Sequence, residues 1–247
     1  MPDSVPVLRS RRSITAFLAA SALLGLCRIS AQAPAAPPRF VVVLDAAHGG
    51  ADTGGQLGNP ANQAQFEKNF TLALSVRLRS LLAARGISVV TTRESDAAVD
   101  ADRRAEIANR ANAQACLTLH ASQSGAGVHI YASSLAPAEH AMMLPWKTAQ
   151  AAWVTRSLAF AGFINSSLAQ AGFDVALGRT DLPAINSMAC PALAIEIGKE
   201  NPKDKSPGGF DDAGYQSRIA QALAAAILEW RSTGWRAGSP STEAFRP

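Results

Sequence analysis

No run of apolar residues in this 247-residue chain reaches the ~20 that a membrane-spanning helix needs. The amino-terminal run from Ile14 to Leu26 is short and rich in alanine and serine, and it follows Arg9, Arg11 and Arg12. That order reads as an export leader over residues 1–33 rather than an anchor. Ala31-Gln32-Ala33 offers an A-x-A cleavage site, with the cut placed between Ala31 and Ala36. Ser10-Arg11-Arg12-Ser13 is an imperfect twin-arginine match, so the export route stays open. Excess charge is lacking too. The formal net charge is +4, but the leader holds four arginines against Asp3, so the remainder carries about +1. This removes any electrostatic case for a nucleic-acid partner.

Cysteine is scarce. Cys27 lies in the leader, where the bulky Leu26 before it argues against lipidation, which leaves Cys116 and Cys190. Both sit in or beside apolar strands, and a buried free thiol acting as a small hydrophobe is the default expectation. An exported chain can instead pair them, and sequence supplies no geometry to decide. The chain has no internal repeat, no G-x-S-x-G nucleophile elbow and no H-E-x-x-H helix. The common motifs of serine hydrolases and zinc peptidases are thereby excluded.

What remains is an alternation of strands and helices after a proline- and alanine-rich linker at 34–38. Strands are expected at Phe40–Asp45, Ile87–Thr92, Ala115–His120, Gly127–Ala132, Val175–Leu177 and Ala192–Ile197. Helices are expected at Glu67–Arg85, Asp102–Asn112, Gln150–Gly172 and Asp212–Trp230. In the first helix Phe70, Leu74, Leu78, Leu81 and Leu82 recur at three- and four-residue steps, and Gly86 stops it. The second carries Arg103, Arg104 and Glu106 mostly on its wet side. The pattern predicts one α/β domain over 39–233, a central, mostly parallel twisted sheet flanked by helices. A loosely held tail follows at 234–247. Leu135 to Trp146, broken by Pro137 and Pro145, is the least legible stretch, and His140 within it is expected to face solvent.

Chemistry gathers at strand ends. Val41-Val42-Val43-Leu44 reads as a buried strand, and Asp45-Ala46-Ala47-His48-Gly49-Gly50 turns sharply after it. Ligands in open α/β sheets bind at that carboxyl end. Cys116 to Leu119 is a second apolar run that also ends in histidine, His120, and Glu67 opens the first helix. His48, Glu67 and His120 form a nitrogen-and-oxygen donor set suited to zinc with one open position. Each has a plain structural alternative: a histidine finishing a strand, or a carboxylate answering the helix dipole, worth about 0.3–1 kcal/mol. Glu196 interrupts Leu193-Ala194-Ile195-Glu196-Ile197, where a carboxylate is costly to bury alone. A salt bridge to Lys199 or an arginine would be its structural explanation. Asp45 is equally placed to orient His48 or to cap the turn. His129 is a half-exposed strand histidine and a candidate substrate contact.

At these residues the chain resembles the zinc-dependent N-acetylmuramoyl-L-alanine amidases of the bacterial cell wall. The matching segments are Leu44 to Asp52, Glu67-Lys68-Asn69, Thr92 to Asp96, Arg104 to Asn112, Leu119-His120-Ala121 and Pro191 to Gly198. They keep the family's order and span nearly all of the chain after the leader. The resemblance implies a monomeric, exported, periplasmic or extracellular enzyme with peptidoglycan as its partner. It would hold Zn2+ on His48, Glu67 and His120, with Glu196 as general base and then acid for hydrolysis of the amide between N-acetylmuramic acid and L-alanine. The sequence names no activator protein. A silent wall-binding protein on the same fold is the alternative, and an intact Glu196 argues against it. The family's usual Asp-Pro-Gly-His is Asp45-Ala46-Ala47-His48 here, so if the glycine position needs positive φ, Ala47 is the strained residue.

Overall fold

Strand β1, Val41–Ala46, is buried along nearly its whole length, as a β-branched run in the middle of a sheet should be. The computed structural model describes residues 39–57, 65–138, 144–199 and 209–234. The expected leader, its cleavage site, the linker, His140 and the tail beyond 234 lie outside the described residues. The remaining strands are β2 (Ser88–Thr91), β3 (Ala115–Ala126), β4 (Val128–Ser133), β5 (Val175–Thr180) and β6 (Ala192–Lys199). Among the described residues they form one sheet in the order β2-β1-β3-β6-β4-β5. Every pairing is parallel except β4 against β6.

The helices are α1 (Glu67–Ala83), α2 (Ala101–Arg110), α3 (Val154–Gln170), the short α4 (Pro183–Asn186) and α5 (Ala213–Glu229). They cover both faces of the sheet. On one face, Phe70, Leu74, Leu78 and Leu82 of α1 join Phe160 and Ile164 of α3 and Ile219, Leu223 and Ile227 of α5. These pack on alternate strand residues, among them Val42, Leu44, Leu117, Leu119, Leu193 and Ile195. Each such side chain, fully buried, contributes roughly 1.5–3 kcal/mol relative to exposure. The opposite face is smaller: Val43, Cys116, Ala192 and Ala194 meet Ala105 and Ala108 of α2 and Ile185 of α4.

The expected elements are present, with differences that have local causes. The helix expected from Gln150 begins at Val154, preceded by a 3₁₀ stretch at Trp146–Ala152. Helix α4 was not legible, because four residues give no period to read. Strand β3 runs six residues past its expected end and slips register between Ala121 and Ala126. There the chain crosses the end of β6 and returns as β4 on the far side. The crossing is tight: Gly198 N–H donates to Gly127 O at 2.8 Å, and a Cβ on Gly198 would lie 2.7 Å from Gly125 O. Only glycine fits at position 198.

Cys116 and Cys190 form a disulfide, which corrects the expectation of free buried thiols. Both sulfurs lie in the smaller core, where β3 and the chain entering β6 run side by side, a proximity that sequence does not reveal. The bridge closes a loop with a sequence separation of 74. The chain-entropy model assigns such a loop about 4 kcal/mol of stabilisation. Wild-type protein should therefore melt at a lower temperature under reductant, whereas a Cys116→Ala, Cys190→Ala variant should melt lower with or without it. Equal melting of wild type in both conditions would remove the bridge from the stability account.

Candidate metal centre

Parallel pairing of β1 with β3 sets Ala46 opposite Leu119 and brings the two histidine-bearing ends side by side. His48 lies two residues past β1, and His120 is within β3. Helix α1 brings Glu67 to them without a side-chain cap of its own. A loop supplies the cap instead: Glu67 N–H donates to Gly55 O at 2.8 Å and Lys68 N–H to Thr53 O at 3.2 Å. In return Gly55 N–H donates to Glu67 Oε2 at 2.8 Å, and Ala121 N–H to Glu67 Oε1 at 3.1 Å. The carboxylate is thus fixed from both sides.

Each Glu67 oxygen faces one imidazole. His48 Nε2 lies 3.1 Å from Oε2, and His120 Nδ1 lies 2.9 Å from Oε1. The rings meet edge to face at 82°, with centroids 5.3 Å apart. One donor atom from each of the three residues falls within 4.8 Å of the other two. Donors around a tetrahedral zinc at 2.0–2.1 Å lie ~3.3 Å apart. Two imidazole nitrogens and a carboxylate oxygen, within 4.8 Å of one another and able to close to that spacing, fit such an ion. Gly54 keeps the space clear: its φ is +63°, and a Cβ there would lie 2.6 Å from the His48 ring and 2.7 Å from Glu67 Oε2. Burial alone would raise the Glu67 carboxyl, but hydrogen bonds from His120 and the Gly55 and Ala121 amides outweigh it and hold it below the usual carboxylate range. Burial would lower the His120 imidazole, and the Glu67 hydrogen bond and charge reverse that, holding it above the usual histidine range.

Two expectations are corrected here. The positive φ falls on His48 itself, at 61°, and not on Ala47. For a non-glycine residue this left-handed conformation costs about 1–2 kcal/mol. Asp45 neither orients His48 nor caps the turn. It is buried and accepts from Thr92 Oγ1 at 2.6 Å and from Arg104 Nη1 at 2.5 Å. Arg104, expected on the wet side of α2, is therefore buried, its charge answered by Asp45. The carboxylate that does orient His48 is Asp52, with Oδ2 2.8 Å from Nδ1. The hydrogen bond to His48 holds the Asp52 carboxyl below its usual range. Sequence reasoning missed Asp52, Gly54 and the two buried arginines, Arg93 and Arg104. A signal existed: Asp52, Arg93 and Arg104 all lie inside the segments that carry the family resemblance.

Glu196 pairs directly with His120 on one side and His129 on the other. Burial raises its carboxyl above the ordinary range, His120 opposes that, and Glu67 adds to it. Among the described residues no lysine or arginine forms an ion pair with Glu196, so the salt-bridge explanation is not met. A cavity of about 260 Å³ opens beside Glu196, lined also by Ser122, Ser124, His129 and Tyr131. Tyr131 Oη lies 3.4 Å from His129 Nδ1. His129 thus stands at the candidate site, across from Glu196, while Val128 and Ile130 face the core. A larger open hollow of about 700 Å³ beside Trp146 and α2 contains none of these residues.

A mostly parallel sheet that brings a His-Glu-His cluster able to hold a metal ion and a half-buried glutamate to its strand ends defines an α/β domain with a candidate metal centre. The model of the N-acetylmuramoyl-L-alanine amidase family matches residues 42–229, and the chain belongs to that family. It is 29% identical over 182 residues to an N-acetylmuramoyl-L-alanine amidase of Mycobacterium tuberculosis, covering 71% of this chain and 73% of that one. It is 36% identical over 106 residues to AmiA of Escherichia coli, a match covering 41% of this chain and 35% of AmiA. The catalytic domain of CwlV, an N-acetylmuramoyl-L-alanine amidase of Bacillus (Paenibacillus) polymyxa, superposes with a TM-score of 0.61 at 25% identity, covering 78% of this chain and 98% of that domain.

Proposed function

We propose that this protein hydrolyses the amide bond between the lactyl group of N-acetylmuramic acid and L-alanine in peptidoglycan, using zinc held by His48, Glu67 and His120. The observation that carries this reading is the register of β6 on β3, which seats Glu196 next to His120 inside a domain of the amidase family. When bound, zinc supplies Lewis acidity, acidifying water and drawing charge from an amide carbonyl. His48 and His120 would present imidazole nitrogens to the ion, and Glu67 would offset part of its charge. Asp52 fixes the tautomer of His48 by accepting from Nδ1. Glu196 takes a proton from the attacking water and delivers it to the departing nitrogen. The hydroxyl ends on the lactyl carbonyl carbon, the C–N bond breaks, and a carboxylate and a free amino terminus separate. A carboxyl raised by burial suits both halves of that task. His129 and Tyr131 line the cavity beside Glu196 and are placed to contact the substrate.

The reaction takes place outside the cytoplasmic membrane. The basic, apolar leader and the paired cysteines both support export. No helix among the described residues is long and apolar enough to cross a membrane. The test is mass spectrometry of defined muropeptides incubated with zinc-loaded protein. Intact stem peptide with a free L-alanine amino terminus, beside peptide-free muramoyl glycan, is the expected result. Cleavage within the stem would make the protein a peptidase, and binding without cleavage would make it a silent wall-binding protein.

A further inference from the structure

We propose that Arg93 is a positioning residue for the metal centre: one guanidinium ties the segment carrying His48 to the helix carrying Glu67 and so sets the distance between them. The proposal rests on the reading of His48, Glu67 and His120 as a metal site. Arg93 follows β2 and is 4% exposed. Its Nε donates to Ala46 O at 2.8 Å and its Nη2 to Ala47 O at 3.0 Å, the two carbonyls just before His48. The same Nη2 donates to Lys68 O at 2.7 Å and Thr71 Oγ1 at 3.2 Å, in the first turns of α1 just after Glu67. Nη1 donates to Ser95 O at 3.1 Å and holds the group in its plane.

Thr71 repeats the link, donating from Oγ1 to Ala47 O at 2.9 Å. Arg104 closes the other side of the turn, with Nη1 on Ala46 O at 2.8 Å and Nη2 on His48 O at 2.9 Å. Three successive carbonyls, 46 to 48, therefore all point at arginines. That arrangement holds His48 at a φ of 61°, a left-handed conformation uncommon for residues other than glycine. Arg104 braces only the turn. Arg93 joins it to α1, as do the single bonds from Thr71 Oγ1 to Ala47 O and from Lys68 Nζ to Gly50 O at 2.8 Å. Of these three, Arg93 alone takes two carbonyls of the turn and two oxygens of α1. A rigid planar fork binds both segments in one fixed geometry, which a single ammonium on a flexible stem does not reproduce.

The test is Arg93→Lys, which keeps the charge and removes the fork. Zinc affinity is read by competition with a chelator, and site geometry by the visible absorption of the Co2+-loaded protein. Zinc binding should weaken 10–100-fold, as when groups that orient metal ligands are lost, and the Co2+ spectrum should change. Thr71→Val, which removes the Thr71–Ala47 link and one acceptor of Arg93 but keeps the guanidinium on Ala46, Ala47 and Lys68, should weaken zinc in the same direction by less, and it decides the matter if Arg93→Lys does not fold. Ile227→Val, in the core far along the chain, controls for lost stability and should bind zinc as wild type does. Wild-type affinity and spectrum in Arg93→Lys would overturn the proposal. So would wild-type affinity in Thr71→Val when Arg93→Lys does not fold, or equal weakening in Ile227→Val. A wild-type protein that binds no zinc would overturn the metal reading, and this proposal with it.

Discussion

Glu196→Gln is expected to lower amide hydrolysis by at least ~10²–10⁴-fold while leaving zinc content at the wild-type level. Glutamine nearly matches glutamate in size and cannot take a proton from water. Glu196 lies outside the cluster of donor atoms formed by His48, Glu67 and His120, so the cradle should survive the change. The paired measurement is zinc per chain beside release of L-alanine amino termini from peptidoglycan. Wild-type turnover would move the base elsewhere, with His129, paired with Glu196 on the neighbouring strand β4, next to test. Loss of zinc along with activity would make Glu196 a ligand and end the division of roles argued above.

The second large effect concerns the cradle. Purified protein should carry about one zinc per chain, and a His48→Ala, His120→Ala double variant should carry none and turn over nothing measurable. Glu67→Gln should be intermediate. Amide oxygen is a poorer ligand than carboxylate, and the His120 and Gly55 contacts lose their charge assistance. Its activity should recover in part as zinc is added. Chelation of the wild type should abolish turnover, and re-addition of metal should restore it. Full zinc retention in the double variant would sink the ligand assignment.

Much of this architecture is legible in the sequence, for identifiable reasons. Long apolar periods reveal the strands and the major helices because burial on a fixed face demands them. The histidines at 48 and 120 stand out because each ends such a run. What stays hidden depends on side chains meeting across the fold. Arg104 reads as a solvated helix residue until Asp45 is found 59 positions away to neutralise it. Asp45 is invisible as its partner for the same reason. The Cys116–Cys190 bridge depends on which strands are neighbours, and the strain on His48 depends on carbonyls being drawn toward two arginines that composition alone would place in water. The route of the chain over the end of β6 could not be read either, since a register slip leaves no periodic trace.

That route has a consequence for the order in which the molecule becomes complete. His48, Glu67 and His120 lie on the contiguous run β1-α1-β2-α2-β3, whose three strands are neighbours at one side of the sheet. Glu196 lies far downstream, on a strand that must enter a slot between β3 and β4, both made earlier in synthesis. A chain emerging amino terminus first thus contains His48, Glu67 and His120, the proposed donors, before Glu196, the proposed base, exists. Under the proposed roles the site is complete only when β6 takes its place between β3 and β4 and Glu196 meets its two flanking histidines. A domain with the proposed wall-cutting activity would therefore stay unarmed until β6, in its carboxyl-terminal third, is in place.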